Sequence, residues 1–419
     1  MARIALVTTS LSAFVREHGA ILASRGHDVT IFGPDRQTRP DDVPLDSSSR
    51  IQPDVEPHHL QIRSYRPLWP RGWPSLLDGH GAPDQLERFP WLWTEVPSIV
   101  TAMAAAMWQH GRAFDALVAH WLLPAGLLAA ISHPHLPLLA IAHGSDAHLL
   151  AALPRPLRRA IMSRLLRPGI QMVATSDGLV EKLTMGLGGR LHREAEQRCT
   201  ILPMGIDVAA IQAETSMDRR EARKRLGLTT EGPVALFMGR LVPVKNPLAL
   251  IDLACRIEDL SILIAGSGPL ESVLRHAATR QAVSDRIHVL GWADQKRKAL
   301  ALRASDLAVL PSIRLASGRT ESSPVALAEA MAAGLPVVAS SVGGVAQTVV
   351  PNETGFLVEP NHPTELARAV QNLIHDDLLR RSMSNEARRA ARKRDWAVVV
   401  SKHIHLLSQA ANELGQQWS

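Results

Sequence analysis

Short β-branched or Leu-rich runs recur along the chain, separated by stretches with the apolar spacing of amphipathic helices. In the first half the runs are Ile4–Val7, Asp28–Ile31, Ala116–Ala119, Leu138–Ala142, Met172–Thr175 and Ile201–Leu202. In the second half they are Val234–Met238, Ile262–Ala265, Ile287–Leu290, Leu307–Leu310, Val337–Ala339 and Phe356–Val358. Strand and helix in alternation predict a parallel sheet, and two such series predict two Rossmann-like α/β domains. The turn-prone Pro203-Met204-Gly205-Ile206-Asp207 sets the expected boundary, with one domain over 1–207 and a second over 208–394. The charged run Asp218 to Arg225 reads as a solvated helix face. Between about Pro34 and Pro97 the pattern breaks down into Pro- and Asp-rich sequence carrying Trp69, Trp73, Trp91 and Trp93. Long irregular segments of this kind often serve function.

Composition narrows the class. At 419 residues the chain exceeds what one core usually serves, and 46% hydrophobic with 21% charged residues describes a folded globular protein. The two cysteines, Cys199 and Cys255, are far apart in sequence, so neither a disulfide framework nor a zinc cage is suggested, and a reducing cytoplasm is the expected setting. The opening Met-Ala-Arg-Ile-Ala-Leu-Val-Thr-Thr-Ser reads as a first strand rather than a leader. The longest apolar stretch, Ala116 to Ile131, is interrupted by His120 and Pro124, so no membrane-spanning helix is expected. A formal charge of +6 suits a phosphate-bearing substrate or an anionic membrane as well as it suits nucleic acid.

The chemistry collects at strand ends of the second half. Val234–Met238 runs into Gly239-Arg240-Leu241-Val242-Pro243-Val244-Lys245-Asn246, placing a glycine and two cations where parallel sheets bind ligands. An arginine fork and a mobile lysine suit a diphosphate, although isolated loop cations are commonly mere surface decoration. Ile262–Ala265 runs into Gly266-Ser267-Gly268-Pro269, a second strand end where backbone can approach a ligand closely. Glu271 stands in place of the third glycine of a dinucleotide fingerprint, which argues against an NAD enzyme.

The segment from Thr320 to Gly334 has readable helix punctuation. Ser323 is the expected N-cap, Pro324 the first helical residue and Gly334 the left-handed terminator, giving a helix from Pro324 to Ala333. Glu321 then lies in the preceding loop, where Ser322, Ser323 and the free amides of the first turn could grip a phosphate beside it. Glu329 lies mid-helix among Ala, Leu, Val and Met. A buried carboxylate there must be paired internally or must accept hydrogen bonds from a ligand, such as ribose hydroxyls; both readings stand.

With Glu321 and Glu329 in this spacing, followed by Ala330-Met331-Ala332-Ala333-Gly334-Leu335-Pro336-Val337-Val338-Ala339 and Gly343-Gly344, the chain resembles the retaining glycosyltransferases of family 4 (glycosyl transferases group 1). The resemblance covers nearly the whole chain. It extends to Gly239-Arg240 with Lys245, Arg25-Gly26-His27-Asp28-Val29, Asp115 to Gly126, His143-Gly144-Ser145-Asp146 and Leu202-Pro203-Met204-Gly205-Ile206-Asp207. It implies the GT-B fold, two Rossmann-like parallel-sheet domains facing across a cleft, with residues 395–419 forming a helix that crosses back to the first domain. It also implies roles: Arg240 and Lys245 on the donor diphosphate, Glu321 on the transferred sugar, Glu329 on the ribose, and His143 on the acceptor side. The sequence departs from the family pattern in three places: Thr9 to Phe14 replaces a Gly-rich loop, Ser322 replaces a glycine, and Gln347 stands where Glu is common.

The expected reaction is retaining transfer of a hexose-type sugar from a nucleotide-sugar donor to a glycan, lipid-linked or small-molecule acceptor. Arg240 and Lys245 supply the cationic charge that the leaving diphosphate requires, so neither a metal nor a cofactor is called for; the donor is a substrate. No nucleic-acid partner is expected. The segment Arg155 to Arg167 sets Leu157, Ile161 and Leu165 against five arginines, which reads either as a core-packed helix with a basic outer face or as peripheral contact with the inner face of a membrane. His143, like His120 with Trp121, ends a strand and could equally be structural. Fold and donor grip leave open a GT-B epimerase or phosphorylase, or a non-catalytic nucleotide-sugar binder.

Overall fold

Every strand expected from the apolar runs forms in the computed structural model, which describes residues 1–35, 59–70, 73, 75–77, 85 and 86, 89–110 and 114–418. The chain divides into two units, Met1–Pro203 with Trp396–Ser419, and Met204–Asp395. In the first unit β1 (Arg3–Val7), β2 (Asp28–Pro34), β3 (Leu60–Tyr65), β4 (Ala116–His120), β5 (Leu138–Ala142), β6 (Ile170–Ala174) and β7 (Cys199–Ile201) form one sheet in the order β3-β2-β1-β4-β5-β6-β7. All pairings are parallel, with Ile4 opposite Val29 on one side and Ala116 on the other. The strand order reverses direction between β1 and β4, and such a switch point opens a crevice at the carboxyl ends of the strands.

β3 falls in the stretch whose pattern predicts no regular structure. It is an edge strand, and only Tyr65 of its six residues is buried, so it lacks the apolar run that marks the central strands. Within the same stretch Trp69 stacks on Trp91 at 5.9 Å, and Trp73 meets Trp91 edge-on at 5.6 Å. Much of the remainder of that stretch lies outside the described residues.

The second unit carries β8 (Val234–Met238), β9 (Ser261–Ala265), β10 (Ile287–Gly291), β11 (Leu307–Leu310), β12 (Val337–Ser340) and β13 (Gly355–Val358), ordered β10-β9-β8-β11-β12-β13. It is parallel throughout, with its switch point between β8 and β11. β8, β9, β11 and β12 are buried along their whole length. The boundary falls at Pro203 and Met204, earlier than the turn suggested. Ile206 donates to the Arg394 carbonyl at 2.9 Å and bridges to Asp395, so the segment after Pro203 belongs with the second sheet.

Residues Trp396–Glu413 form a helix of the first unit, burying Trp396, Val399, Val400, His403, Leu406, Leu407, Ala410 and Ala411 along one face. Its terminal Glu413 accepts from the Gly169 amide at 2.8 Å and from Gln171 Nε2 at 2.9 Å, and pairs with Arg198.

The run Asp218 to Arg225 is not wholly solvated. Asp218 caps the helix Arg219–Arg225 by accepting from the amides of Arg220 and Glu221. Arg223, on that helix, is buried and donates from Nη2 to Asp306 at 2.9 Å and from Nε to the Ala304 carbonyl at 2.9 Å. Asp306 also accepts from the Val234 amide at 2.9 Å and from Arg219, tying the helix to the starts of β8 and β11. Removing one member of a buried, hydrogen-bonded pair strands the other's charge. Asp306→Ala should therefore cost about 3–5 kcal/mol, read as a lowered urea midpoint of the second unit.

Candidate active site

The loops that leave β8 and β9 are zipped together by backbone. Gly239 donates to the Ala265 carbonyl at 3.0 Å, Leu241 to the Ser267 carbonyl at 2.9 Å, and Leu270 to the Leu241 carbonyl at 3.1 Å. Contact is so close that a Cβ on Gly266 would sit 1.9 Å from the Gly239 carbonyl oxygen. Both glycine turns therefore serve this approach, leaving exposed Arg240 and Pro269, with Gly268 between, on the carboxyl edge of the sheet. A single 3₁₀ turn, Pro243–Lys245, ends in left-handed Asn246 and returns Lys245 over Gly239.

Lys245 Nζ lies 2.6 Å from Glu321 Oε1, with both side chains largely buried. The Glu321 backbone is held in turn by the paired glycines, since Gly344 donates to its carbonyl at 3.0 Å. Gly343, at φ +47°, leaves no room for a Cβ, which would meet that oxygen at 2.1 Å. A second lysine–glutamate contact lies beyond. Lys298 Nζ, on the helix Gln295–Ala304, is 2.6 Å from Glu329 Oε1. Of the two readings of Glu329, internal pairing is the one present in the structure. Lys298 was not among the residues singled out from sequence, because its helix spacing resembles that of any surface lysine.

The helix after Glu321 spans Val325–Ala333, with Pro324 rather than Ser323 at the N-cap and Gly334 at φ 84° as its terminator. Ser323 does not cap because Arg394 takes it: Arg394 Nη2 donates to Ser323 Oγ at 2.7 Å, Nη1 to Thr348 Oγ1 at 3.2 Å and Nε to the Met204 carbonyl at 3.3 Å. Arg394 is buried, and desolvation brings its pKa down to about 10, which still leaves it a cation at neutral pH. It fixes the loop carrying Glu321, Ser322 and Ser323. Nothing in the spacing of the charged 386–395 stretch separates it from its surface neighbours.

In the first unit His143 follows β5. Its turn is shaped by buried Asp146, which accepts from the amides of His143 at 3.1 Å, Gly144 at 2.9 Å, Ala147 at 3.0 Å and Leu122 at 2.7 Å. Burial pushes this carboxyl up, and the four amides oppose that. His120, at the end of β4, is fully buried and is linked to His143 at 2.9 Å, so it supports that residue from beneath. Trp121 packs on the His143 ring at 4.7 Å and Phe14 at 5.2 Å.

The helix Arg155–Leu165 turns Ile161, Met162 and Leu165 into the first unit's core. Ile161 and Leu165 are therefore covered by protein, while Leu157 is exposed together with Arg155, Arg159 and Arg167. Among the described residues no helix is long and apolar enough to cross a membrane.

A family model of glycosyl transferases group 1 matches residues 218–390, and a glycosyl transferase 4-like domain model matches residues 11–196. The D-inositol 3-phosphate glycosyltransferase of Xylanimonas cellulosilytica is 29% identical over 96% of this chain and 91% of its own. The enzyme of the same name from Geodermatophilus obscurus is 30% identical over 76% of this chain and 73% of its own. Among solved structures, HepE of Anabaena in complex with UDP superposes with a TM-score of 0.69 at 19% identity, covering 97% of this chain and 99% of that one. Two parallel-sheet units with cations and carboxylates at their strand ends define a glycosyltransferase of the GT-B class. Within that class, the chain belongs to the group 1, family 4 glycosyltransferases.

Burial brings His143 and His403 to pKa values of about 3, and holds His18 and His120 well below the ordinary range. In the unfolded chain these rings titrate near 6.5, so below that pH the unfolded state takes up protons that the folded state refuses. The contribution of these rings should be flat above about pH 7 and fall as the pH drops from about 6.5 towards 3, by about 2 kcal/mol at pH 5 for each of His143 and His403. Urea titrations at pH 7.5 and 5.0 check this, and equal midpoints would contradict it.

Proposed function

We propose that this enzyme is a retaining, metal-independent hexosyltransferase that takes its sugar from a nucleotide diphosphate donor. The observation that carries the reading is the row of Arg240, Lys245, Glu321, Lys298 and Glu329 at the carboxyl edge of the second sheet, built on glycine turns that pack the loops after β8 and β9 against each other. In the reaction the bond from the anomeric carbon to the donor phosphate oxygen breaks, and a bond to the acceptor oxygen forms on the same face. The acceptor's hydroxyl proton passes to the departing diphosphate. Negative charge grows on that diphosphate, and Arg240 with Lys245 is placed to meet it. Lys245 then exchanges part of its contact with Glu321 for phosphate, freeing the carboxylate for the sugar hydroxyls. Ser322, Ser323 and the start of the helix after Pro324 add donors, and Glu329 receives the ribose.

His143 serves the acceptor side. A phosphate-bearing polyol is the acceptor best supported, because the relatives spanning most of the chain are D-inositol 3-phosphate glycosyltransferases. A lipid-linked acceptor at the inner face of a membrane is a second reading, favoured by the exposed arginines of the 155–167 segment. Flotation with anionic liposomes separates the two, since the first requires no binding.

A nucleotide-release assay across UDP-, GDP- and ADP-sugars, with inositol phosphates and lipid-linked acceptors, tests donor and reaction together. Turnover should be unaffected by EDTA, and the product should keep the donor's anomeric configuration. Donor binding without release in the presence of any acceptor would indicate a binding protein instead. Lys245→Ala should lower kcat by about 100-fold or more, because it meets charge present only in the transition state. Glu329→Ala should instead raise the donor KM by about 10-fold with a smaller effect on kcat. Wild-type kinetics in both variants would sink the assignment.

A further inference from the structure

His143 is the end of a chain of four histidines, drawn from four separate elements of the first unit. His143 Nε2 lies 2.9 Å from His120 Nδ1, His120 Nε2 lies 2.9 Å from His18 Nδ1, and His18 Nε2 lies 3.2 Å from His403 Nδ1. His18 sits on the helix Ala13–Ser24 and His403 on the helix Trp396–Glu413. His18, His120 and His403 are at most 2% exposed. Aromatic rings sheathe the chain: Trp396 stacks on His18 at 5.4 Å, while Phe14 and Trp121 cover His120 and His143.

The carboxylates nearest in sequence to the chain have other duties. Glu17 accepts from Trp396 Nε1 at 2.7 Å, and Asp146 accepts from four backbone amides. Burial disfavours a proton on every ring, and the charges that His143 and His403 would carry disfavour it further at His18 and His120. Burial therefore keeps the four rings neutral.

Neutrality constrains the protons. Each neutral imidazole carries one N–H and one bare nitrogen, so every link needs one proton and every ring must point the same way along the chain. Four rings hold four such protons, three of which fill the three links. The fourth lies at one end. His143 Nδ1 and His403 Nε2 are thus of opposite kind, one an N–H donor and the other a bare acceptor. Reversing one ring requires reversing all.

We propose that His120, His18 and His403 are positioning residues that act through His143, fixing as a unit which tautomer it presents to the acceptor. The proposal rests on the reading of His143 as an acceptor-side group. A nitrogen of one fixed kind can hold an acceptor oxygen in a single orientation, whereas a ring free to exchange tautomers divides its population between two. No proton is gained or lost by the chain in this role. In the second unit the charged pairs are instead set by lysine and glutamate.

Long-range 1H–15N spectra of the full chain labelled in histidine test it, with each ring assigned from the signals lost in single variants. Between pH 5.5 and 8 the four rings should stay neutral, each in one tautomer. His403→Gln keeps a donor and an acceptor at the far end but cannot exchange tautomers. It should change the nitrogen shifts of His143, two rings away, and lower kcat by about 10-fold with the donor KM unchanged. His18→Gln should do the same from the middle of the chain. An unaltered His143 spectrum in a folded variant would overturn the proposal, as would an altered spectrum with wild-type kcat. Should neither variant fold, the wild-type spectra decide: mixed tautomers at His143, or titration near pH 6.5, overturn it. If the wild-type enzyme transfers no sugar from any donor, the functional reading fails, while the spectra still judge the chain.

Discussion

A carboxylate taken out of water must be met by a cation or by several hydrogen-bond donors, and the carboxyl edge of the second sheet is organised around that requirement. Glu321 and Glu329 are each met by a lysine at 2.6 Å, from the loop after β8 and from the helix before β11. These contacts determine where the loops can go. Lys245 has to fold back across Gly239 to reach Glu321, which demands the left-handed Asn246 and the bare α-carbon of Gly239. The Glu321 loop has to be braced from behind, and Arg394, Gly343 and Gly344 brace it. Ion pairs of this kind contribute little net stability, because attraction is largely offset by lost hydration. Their value here is positional: two lysines and two carboxylates are kept in place at a strand edge.

The first unit solves a related problem without charge. A histidine at the end of β5 is held by a neighbour at the end of β4, which is held by a histidine from a helix, which is held by another from the C-terminal helix. Neutral rings cost less to bury than ions, but only if every nitrogen finds a partner of the right kind. That condition couples the C-terminal helix to the histidine that follows β5. The same helix is anchored at its far end by Glu413, which gathers the Gly169 amide, Gln171 and Arg198.

Much of the architecture was legible in the chain itself. Strands buried on both faces must be apolar throughout, so β4 to β6, β8, β9, β11 and β12 announce themselves by composition and spacing. Gly334 announces its helix end because the left-handed terminator strongly favours glycine. Glu321, Glu329, Lys245 and Arg240 could be picked out because charges at strand ends or within an apolar helix conflict with their surroundings.

What remained invisible depended on contacts between residues far apart in the chain. β3 gains its place from pairing with β2 rather than from its own pattern, and Ser323 loses its capping role to an arginine 71 positions away. Lys298 and Arg223 look like surface cations until folding brings Glu329 and Asp306 to them. His18, His120 and His403 carry no shared motif, since a hydrogen bond between side chains leaves no trace in local spacing. Sequence alone determined the two parallel sheets and the charged residues at their edges, because burial and backbone geometry act locally. Tertiary structure alone decided which lysine meets which glutamate and which histidines join, because those partners meet only after the chain has closed on itself.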